Sequence, residues 1–273
     1  MTKSVPEADW LPALRRKYGR RAEVRAQKRA ALAGLNAQEE LLLFHFPPPV
    51  ERALVVGCGA GRELLSLAAR GWQVTGIDLA SPPLLAARKA LARQGFSAEL
   101  VHLATPYPWP FADGSFGAVL LLAQVLEHLP ERAQRLAVLR ETARTLLPGG
   151  LVYLGTHAIS AADRDELRWL APDAGRPETI LAQRISRARS PGALPMHLYG
   201  REELCAEVAE SGLAVLSWLV HEEPGEGHPV WRRFLYLAAY KQPSAAVSIQ
   251  FTMAGPEGTR PWPGESSSGH RNG

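Results

Sequence analysis

Hydrophobic and polar positions between residues 52 and 155 follow two patterns in turn. Short runs rich in Val, Leu and Ala are typical of buried strands. The stretches between them carry apolar residues every three to four positions, as one face of a helix does. The predicted strands lie at 52–56, 72–77, 98–103, 117–123 and 151–155. Because strands that alternate with helices form a parallel sheet with helices on both faces, we predict a doubly wound α/β domain.

Capping and breaking residues indicate where the helices begin and end. We expect helices from Glu63 to Ala69, from Pro82 to Gly95 and from Pro130 to Leu147. Ser81 is expected to cap the second of them with its hydroxyl, and Pro148–Gly150 is expected to end the third. Two later runs, 213–220 and 234–240, have strand composition and are predicted to form an antiparallel pair that completes a seven-stranded sheet.

The two ends of the chain differ from this central pattern. Residues 9–45 read as helical, and Asn36 followed by Glu39 is the signature of a capping box. After Lys241 the Pro, Gly and Ser content rises, and little remains that could be buried. We therefore predict an N-terminal helical extension over 1–48, a main domain over 49–243 and a disordered tail over 244–273.

The composition excludes several classes of protein. With 273 residues, 46% of them hydrophobic, the chain can bury a substantial core. No apolar run approaches the roughly 18 residues of a membrane span, and residues 1–12 lack the apolar core of a secretory signal. We therefore expect a cytoplasmic protein with no membrane partner. The two cysteines, Cys58 and Cys205, suggest no disulfide framework, and the histidines lack the spacing of a metal site.

Basic residues are concentrated near the N-terminus. The net charge is only +4, yet the stretch from Arg15 to Arg29 contains eight basic residues and one acidic residue, Glu23. Such a run could meet an anionic substrate or RNA, or it could be one solvated helix face. The sequence leaves both interpretations open.

The first predicted strand ends in a glycine-rich turn. Gly57, Gly59 and Gly61 are spaced two apart and are followed at once by a helical pattern. Glycines at such a turn permit unusual backbone angles and let main-chain atoms approach a ligand or a packed helix. A dinucleotide-binding turn would carry its third glycine where this chain has Arg62, which counts against a dehydrogenase. Asp78 lies at the tip of the second strand, where a carboxylate can accept both hydroxyls of a ribose.

Four ordered passages carry a resemblance to a known family. They are the glycine turn, residues 112–117 (ADGSFG), residues 125–129 (VLEHL) and residues 140–154 (RETARTLLPGGLVYL). In these passages the chain resembles the class I S-adenosylmethionine-dependent methyltransferases, with domains of types 11 and 25. The resemblance implies a mostly parallel, seven-stranded Rossmann-like sheet with an antiparallel last strand. It also implies that S-adenosylmethionine is the cofactor.

Residues at the strand tips are the cofactor contacts that this resemblance implies. These are Gly57, Cys58, Gly59, Gly61, Asp78, Leu79, Ala104, Thr105 and Gln124. In the family, helices before the first strand commonly form a lid over the cofactor. An insertion after strand five, here 157–198, commonly builds a substrate cap.

Three positions depart from the family pattern. Ala104 or Thr105 stands where an aspartate usually receives the adenine amino group. Val55 and Gly117 stand where acids are common. The acid at the position of Val55 usually holds the cofactor's ammonium group or orders the turn, so its loss leaves that contact unassigned.

The resemblance implies methyl transfer to a small-molecule acceptor by direct SN2 displacement. Because a sulfonium methyl is already activated, the protein mainly aligns the reactants and excludes water, and a base is needed only for a weakly acidic acceptor. His128, after strand four, and His157, at the end of strand five, are the candidate bases, whereas His197 is expected to cap the following helix. Methylation of tRNA or rRNA, and a non-catalytic protein that binds an adenosyl ligand, remain alternatives.

Overall fold

The computed structural model describes residues 10–160, 162–163, 194, 196–225 and 232–243. The chain divides into two compact units, residues 1–242 and residues 243–273. The second unit, which includes the predicted disordered tail 244–273, lies outside the described residues apart from its first position. Most of the predicted cap insertion at 157–198 also lies outside them.

The described residues form seven α-helices and seven β-strands. The helices are α1 (Trp10–Tyr18), α2 (Arg21–Ala33), α3 (Ala37–His45), α4 (Arg62–Ala68), α5 (Ser81–Arg93), α6 (Arg132–Thr145) and α7 (Arg201–Glu210). The strands are β1 (Arg52–Val56), β2 (Gln73–Asp78), β3 (Glu99–His102), β4 (Phe116–Leu121), β5 (Leu146–His157), β6 (Leu213–Glu222) and β7 (Arg233–Lys241). A 3-10 turn, Leu126–His128, follows β4.

These strands join one sheet in the order β3-β2-β1-β4-β5-β7-β6. Strands β3, β2, β1, β4 and β5 are parallel to their neighbours, while β7 runs antiparallel to both β5 and β6. The predicted doubly wound, mostly parallel sheet with an antiparallel last strand is confirmed. The chain winds away from β1 in one direction toward β3 and in the other toward β4 and β5, so the winding reverses between β1 and β4.

Alternate residues of β1 point to opposite faces of the sheet, and each face carries its own core. Leu54 and Val56 pack into the core under α1, α6 and α7. Ala53 and Val55 pack into the core under α2, α3, α4 and α5. Val55 is 1% exposed. The residue that replaces the family's acid is therefore a core residue among aliphatic side chains.

The start of α5 differs from the prediction. Ser81 is the first residue of the helix, its N-cap is Ala80, and no side chain of the N-cap makes a capping hydrogen bond. The prediction that Ser81 is the N-cap is therefore wrong. The Asp78 carboxylate accepts the N–H of Ala80, the N-cap, at 2.8 Å and so helps to fix the backbone where the helix begins.

The end of α6 also differs. The helix ends at Thr145, and the segment Pro148–Gly150 lies within β5 rather than at the end of the helix. Leu146 already pairs with Phe116 of β4, and the register then shifts before Ala118 pairs further along β5. Pairing with β4 therefore ends the helix before the proline and glycines are reached.

Gly117 lies at the start of β4, where the connection from α3 to β1 passes very close to it. A Cβ atom on Gly117 would lie 2.0 Å from the carbonyl oxygen of Val50. No side chain fits at that distance unless the connection moves. The path of the backbone therefore requires glycine where the family commonly has an acid.

The N-terminal helices, defined as α1–α3, pack against the main domain. The predicted capping box of α3 is present, because Asn36 Oδ1 accepts the Glu39 N–H and the Glu39 carboxylate accepts the Asn36 N–H, each at 2.9 Å. α2 packs against α4 and α5, and α3 packs against β5 and β7. Within the described ranges, no helix is long and apolar enough to cross a membrane.

Candidate active site

A cavity of about 290 Å³ lies where the carboxyl ends of β1 and β4 are side by side. Doubly wound sheets bind ligands at this reversal of winding because the connections diverge there and leave a crevice. The cavity wall combines the turns after β1, β2 and β4 with side chains of α1 and α2. The predicted cofactor contacts that line it are Gly57, Cys58, Gly59, Asp78, Leu79 and Gln124. Those that do not line it are Gly61, Ala104 and Thr105.

The turn after β1 requires glycine for its conformation and for space. Gly57, Gly59 and Gly61 have φ angles of 63°, 51° and 93°, in the left-handed region. A Cβ atom on Gly57 would lie 2.8 Å from a methyl group of Val125, and one on Gly61 would lie 3.1 Å from the Ala87 side chain. Gly61, the N-cap of α4, therefore allows α4 and α5 to pack, while Gly57 and Gly59 shape the cavity wall.

Asp78 ends β2 and places its carboxylate at the cavity wall. One carboxylate oxygen accepts the Gly59 N–H and the other accepts the Ala80 N–H, both at 2.8 Å. Burial raises the pKa of this carboxyl, and the backbone donors oppose the rise. Each oxygen keeps a second lone pair, so the carboxylate can still accept a hydroxyl from a ligand. Asp78 therefore holds the glycine turn without using up its capacity to bind.

Arg15 of α1 ties the N-terminal helices to the tips of β2 and β3. Its guanidinium donates to the carbonyl oxygens of Leu79 and Leu103, both at 3.1 Å, and also to that of Ala104. Five N–H donors in a planar fork suit arginine to bridging several carbonyl groups. One basic residue of the 15–29 run thus has a structural role.

The residues of the loop after β3 that line the cavity are not Ala104 and Thr105, which stand at the family's adenine-binding position. Leu103 and Pro106 line the cavity, and Ala104 and Thr105 do not. The Thr105 hydroxyl donates to the Tyr107 carbonyl at 2.8 Å, so its proton is already used within the loop. The wall at this end of the cavity is apolar.

Arg62 joins α3 to the glycine turn. Its guanidinium forms a bidentate ion pair with Glu39, at 2.6 and 2.7 Å, and contacts Glu63 at 2.6 Å. Glu39 and Glu63 are 3% and 5% exposed, and carboxylates buried to that extent need a compensating cation. Burial raises the pKa of Glu63, and the charge of Arg62 opposes that rise. The arginine that replaces a dinucleotide-type glycine thus fixes the first turn of α4 against the N-terminal helices.

Tyr18 of α1 and His128 of the 3-10 turn meet at the cavity wall, with Tyr18 Oη and His128 Nε2 2.6 Å apart. Burial, with the nearby Lys17 charge, lowers the pKa of His128 to about 3, and burial raises the pKa of Tyr18. Both side chains are therefore neutral at neutral pH. His128 Nδ1 is buried and has no hydrogen-bond partner within the described part of the chain. It is an acceptor if the ring proton is on Nε2 and a donor if it is not.

The backbone after β4 is strained at two successive residues. Ala123 and Gln124 have φ angles of 52° and 62°, a region that residues with a Cβ rarely adopt. The Gln124 N–H donates to the Gly155 carbonyl of β5 at 3.2 Å, which helps to hold this turn. Ala123 and Gln124 both line the cavity. Backbone strain at a cavity wall is typical of a functional site.

His157, the second candidate base, ends β5 and does not line the cavity. Its Nδ1 lies 2.9 Å from the carboxylate of Glu127, which is fully buried. Glu127 also accepts from the Thr156 hydroxyl at 2.8 Å and from the His157 N–H. The imidazole packs on Phe234, with ring centroids 4.9 Å apart. Of the two candidates, the structure brings His128 to the cavity.

The other residues singled out in the sequence lie elsewhere. His197 Nε2 is 2.8 Å from the Glu203 carboxylate in the first turn of α7. The N-cap of this helix is Gly200, so the prediction that His197 caps it is wrong. Cys58, which is buried, and Cys205 are both free thiols. Across the described ranges, no group of three or more His, Cys, Asp or Glu side chains is arranged to hold a metal ion.

Comparison with known families agrees with this geometry. Residues 54–154, which run from within β1 through β4 and most of β5, match the family model described as a methyltransferase domain. Over these residues, which are fewer than half of the chain, the protein is similar to methyltransferase domains. The match begins at Leu54, so the N-terminal helices lie before it.

Individual proteins are similar to part of the chain or share its fold. The ubiquinone biosynthesis O-methyltransferase of Dechloromonas aromatica is 37% identical over 106 residues, which are 39% of this chain and 44% of that protein. The chain thus matches less than half of the length of this curated relative. A SAM-dependent methyltransferase from Methanosarcina mazei has a TM-score of 0.60 and 21% identity, and the match covers 77% of this chain and 100% of that chain. The [4+2]-cyclase SpnF has a TM-score of 0.56 and 17% identity, with 76% and 80% covered. These two structures establish the fold alone.

The residues of the cavity fit the cofactor of this methyltransferase superfamily. The glycine turn borders the cavity with left-handed backbone that a residue with a Cβ atom rarely adopts, and Asp78 keeps lone pairs for ribose hydroxyls. Two buried polar atoms at the cavity, Gln27 Oε1 and His128 Nδ1, have no hydrogen-bond partner among the described residues. Buried polar atoms are nearly always paired in folded proteins, so a ligand that pairs them is expected.

Three side chains of the N-terminal helices at or beside the cavity escaped the sequence analysis: Arg15, Tyr18 and Gln27. A signal for Tyr18 was available, because Trp10, Leu14 and Tyr18 are spaced four apart and form one inward-facing stripe of α1. The sequence analysis interpreted the stretch from Arg15 to Arg29 by its charge rather than by this stripe. No comparable local signal marks Gln27, which lies in α2 among basic and alanine residues.

Proposed function

We propose that this protein transfers a methyl group from S-adenosylmethionine to a small-molecule acceptor by direct SN2 displacement. The observation that carries the proposal is that the glycine turn and the Asp78 carboxylate share one cavity at the winding reversal of the sheet. Asp78 is assigned to the ribose hydroxyls. The apolar wall formed by Leu79, Leu103 and Pro106 is assigned to the adenine ring.

When bound, the cofactor supplies a methyl group that its sulfonium has already activated. The contribution of the protein is to align the acceptor with that methyl group and to exclude water. Tyr18 and His128 form a hydrogen-bonded pair in the lining of the cavity, and we assign them to the acceptor. In the tautomer with its proton on Nε2, His128 can accept a hydrogen bond from the acceptor's hydroxyl at Nδ1 and so orient it, while Tyr18 holds the ring in place. With a pKa of about 3, the ring acts by positioning the hydroxyl rather than by removing its proton.

A hydroxylated small molecule is the acceptor class that we favour. Two curated relatives, 37% and 34% identical over 106 residues, are named as O-methyltransferases of ubiquinone biosynthesis. The fold by itself does not decide the reaction, since the cyclase SpnF shares it. An uncharged Tyr18–His128 pair is consistent with a neutral hydroxyl acceptor.

The experiment that tests the proposal measures binding and turnover separately. Isothermal titration should show 1:1 binding of S-adenosylmethionine and S-adenosylhomocysteine and weaker binding of NAD. A screen of phenols and other hydroxylated molecules with methyl-labelled cofactor should then show labelled product. NAD binding without adenosylmethionine binding would contradict the cofactor assignment, and cofactor binding without turnover on any acceptor would favour a binding protein.

A second candidate, methylation of RNA, has one observation in its favour. Six basic residues of α1, α2 and the turn between them are exposed: Arg16, Arg20, Arg21, Arg25, Lys28 and Arg29. Such a surface beside a cavity could hold phosphates. Binding to tRNA that weakens steeply with salt, together with label transfer to RNA, would support this reading over the small-molecule acceptor.

A further inference from the structure

Gln27 of α2 reaches over the glycine turn and lines the cavity. Its Oε1 atom would lie 2.7 Å from a Cβ atom on Gly59, so the amide sits directly above that glycine. This oxygen is buried, and no donor among the described residues reaches it. The absence of a side chain at Gly59 therefore makes room for the Gln27 amide.

An unpaired buried carbonyl oxygen is costly unless a ligand pairs it. The carboxylates at the same wall are already engaged. Asp78 accepts two backbone N–H groups, and Glu63 is paired with Arg62. The Gln27 oxygen is thus the acceptor over the glycine turn that still needs a donor.

The position of this oxygen indicates which donor it would meet. With the ribose at Asp78 and the adenine against Leu103 and Pro106, the remainder of the cofactor runs along the turn past Gly57 and Gly59. That remainder is the sulfur and the amino-acid chain, whose strongest donor is the α-ammonium group. Val55, which replaces an acid, is buried in the core and offers this ammonium no acceptor.

We propose that Gln27 binds the amino-acid end of the cofactor, with its amide oxygen accepting a hydrogen bond from the α-ammonium group. The contact comes from an N-terminal helix and takes the place of the acid that is absent at Val55. This assignment rests on the proposed function, because it requires an adenosyl amino acid in the cavity.

The test compares two ligands that differ in the group concerned. S-adenosylhomocysteine carries the amino-acid chain, whereas 5′-methylthioadenosine keeps the adenosine and sulfur but lacks it. Gln27→Met removes the acceptor at nearly the same side-chain length. It should weaken S-adenosylhomocysteine about ten- to a hundredfold in isothermal titration and leave 5′-methylthioadenosine unchanged. The melting temperature of the ligand-free variant should be unchanged or higher, because an unpaired buried oxygen is removed.

Two further variants serve as controls. Gln27→Glu keeps an acceptor at the same reach and should retain most of the affinity for S-adenosylhomocysteine. Asp78→Ala should weaken both ligands, because both carry the ribose.

Three outcomes would overturn the assignment. Equal losses for both ligands in Gln27→Met would mean that Gln27 acts on the adenosine part or on the position of α2. Unchanged affinity for S-adenosylhomocysteine would mean that no ligand donor meets the oxygen. If the wild-type protein bound neither ligand, the proposed function would fail together with the assignment, so the two failures are distinguishable.

Discussion

The two walls of the cavity are built by different means. The sheet wall, formed by the turns after β1, β2 and β4, consists of backbone in unusual conformations and one carboxylate, that of Asp78. The helix wall, formed by α1 and α2, consists of side chains such as Tyr18 and Gln27. The sheet wall lies within residues 54–154, which match the methyltransferase family model, and the helix wall lies before them.

This separation indicates how the fold can serve different acceptors. Backbone angles and a strand-tip acid hold features that adenosyl ligands have in common. Side chains such as Tyr18 and Gln27 can change without altering the strand-tip backbone, because glycines and the Asp78 carboxylate hold that backbone. We therefore expect substitutions on the sheet wall to weaken every adenosyl ligand. On the helix wall, we expect a change at Tyr18 to affect turnover and a change at Gln27 to affect only ligands that carry the amino-acid chain.

The largest effect is expected from Gly57→Val on the sheet wall. The new side chain would meet Val125 at 2.8 Å, in a backbone conformation with φ of 63°. Steric overlap and backbone strain of about 1–3 kcal/mol each should weaken S-adenosylhomocysteine binding by more than about a hundredfold. Isothermal titration measures this. In the control Gly59→Ala, the backbone is strained as well, with φ of 51°, but the added methyl group meets the end of Gln27, which can swing aside. The loss should therefore be smaller than in Gly57→Val and at least as large as in Gln27→Met. Equal damage by both glycine variants would contradict this distinction.

Asp78→Ala should have the next largest effect and should act on affinity and stability together. Loss of the acceptor for ribose should weaken cofactor binding about ten- to a hundredfold. Because the Gly59 and Ala80 N–H groups also lose their acceptor, the free energy of unfolding should fall by about 1–3 kcal/mol. Titration and urea denaturation measure the two quantities.

The matched control is Asp113→Ala, which removes an exposed acid paired with Arg144 and should change neither quantity appreciably. If Asp78→Ala lowers stability and leaves cofactor affinity unchanged, Asp78 has only a structural role. That result would contradict the assignment of cofactor binding to the sheet wall.

The junction of the two walls should give the protein a specific pH dependence. The pKa of His128 is about 3 in the folded protein, below the value of about 6.5 in an unfolded chain. Between these values the unfolded chain binds a proton that the folded protein does not. The contribution of neutral His128 to the free energy of unfolding is therefore fully present above about pH 6.5. It is lost as the pH falls below that value, by at most about 1.4 kcal/mol per pH unit.

Urea denaturation at pH 7.5 and pH 5.0 checks this, with His128→Gln as the control. The wild-type protein should lose more free energy of unfolding than the variant on going to pH 5.0, because the other titrating groups are common to both. Equal losses of the free energy of unfolding in the wild-type protein and in His128→Gln would contradict a lowered pKa of His128 in the folded state.

The smallest effect is expected on the helix wall from Tyr18→Phe. The variant keeps the aromatic ring and removes the hydroxyl 2.6 Å from His128 Nε2. We expect kcat to fall about tenfold, which corresponds to about 1.4 kcal/mol, while cofactor affinity stays the same. Turnover with labelled cofactor and titration with S-adenosylhomocysteine separate the two. A loss of cofactor affinity with unchanged kcat would mean that Tyr18 binds the cofactor and has no role in turnover.

Local patterns were sufficient for the sheet wall. The predicted bounds of β1 match the structure because its buried residues form an uninterrupted apolar run that ends at Gly57. The capping box at Asn36 was equally local. The prediction for Ser81 failed because the helix begins one residue earlier than expected, with Ser81 as its first residue and Ala80 as its N-cap.

The helix wall could not be predicted from local patterns. Tyr18 and His128 are 110 residues apart, and Arg15 reaches a carbonyl group 88 residues away. Which side chains meet across such separations depends on how α1 and α2 dock on the sheet, and helical periodicity sets only the face that is buried. The roles predicted for Ala104 and Thr105 stay predictions, since Leu103 and Pro106 are the residues that reach the cavity there.

The close approach of Val50 to Gly117 has an evolutionary consequence. A relative that carries an acid at the position of Gly117 must route the connection between α3 and β1 along another path, since a Cβ atom there would lie 2.0 Å from the Val50 carbonyl oxygen. The two sites should therefore vary together among homologous sequences. Glycine should accompany a connection of this length and proline content, and acids should appear where the connection is longer or differently composed.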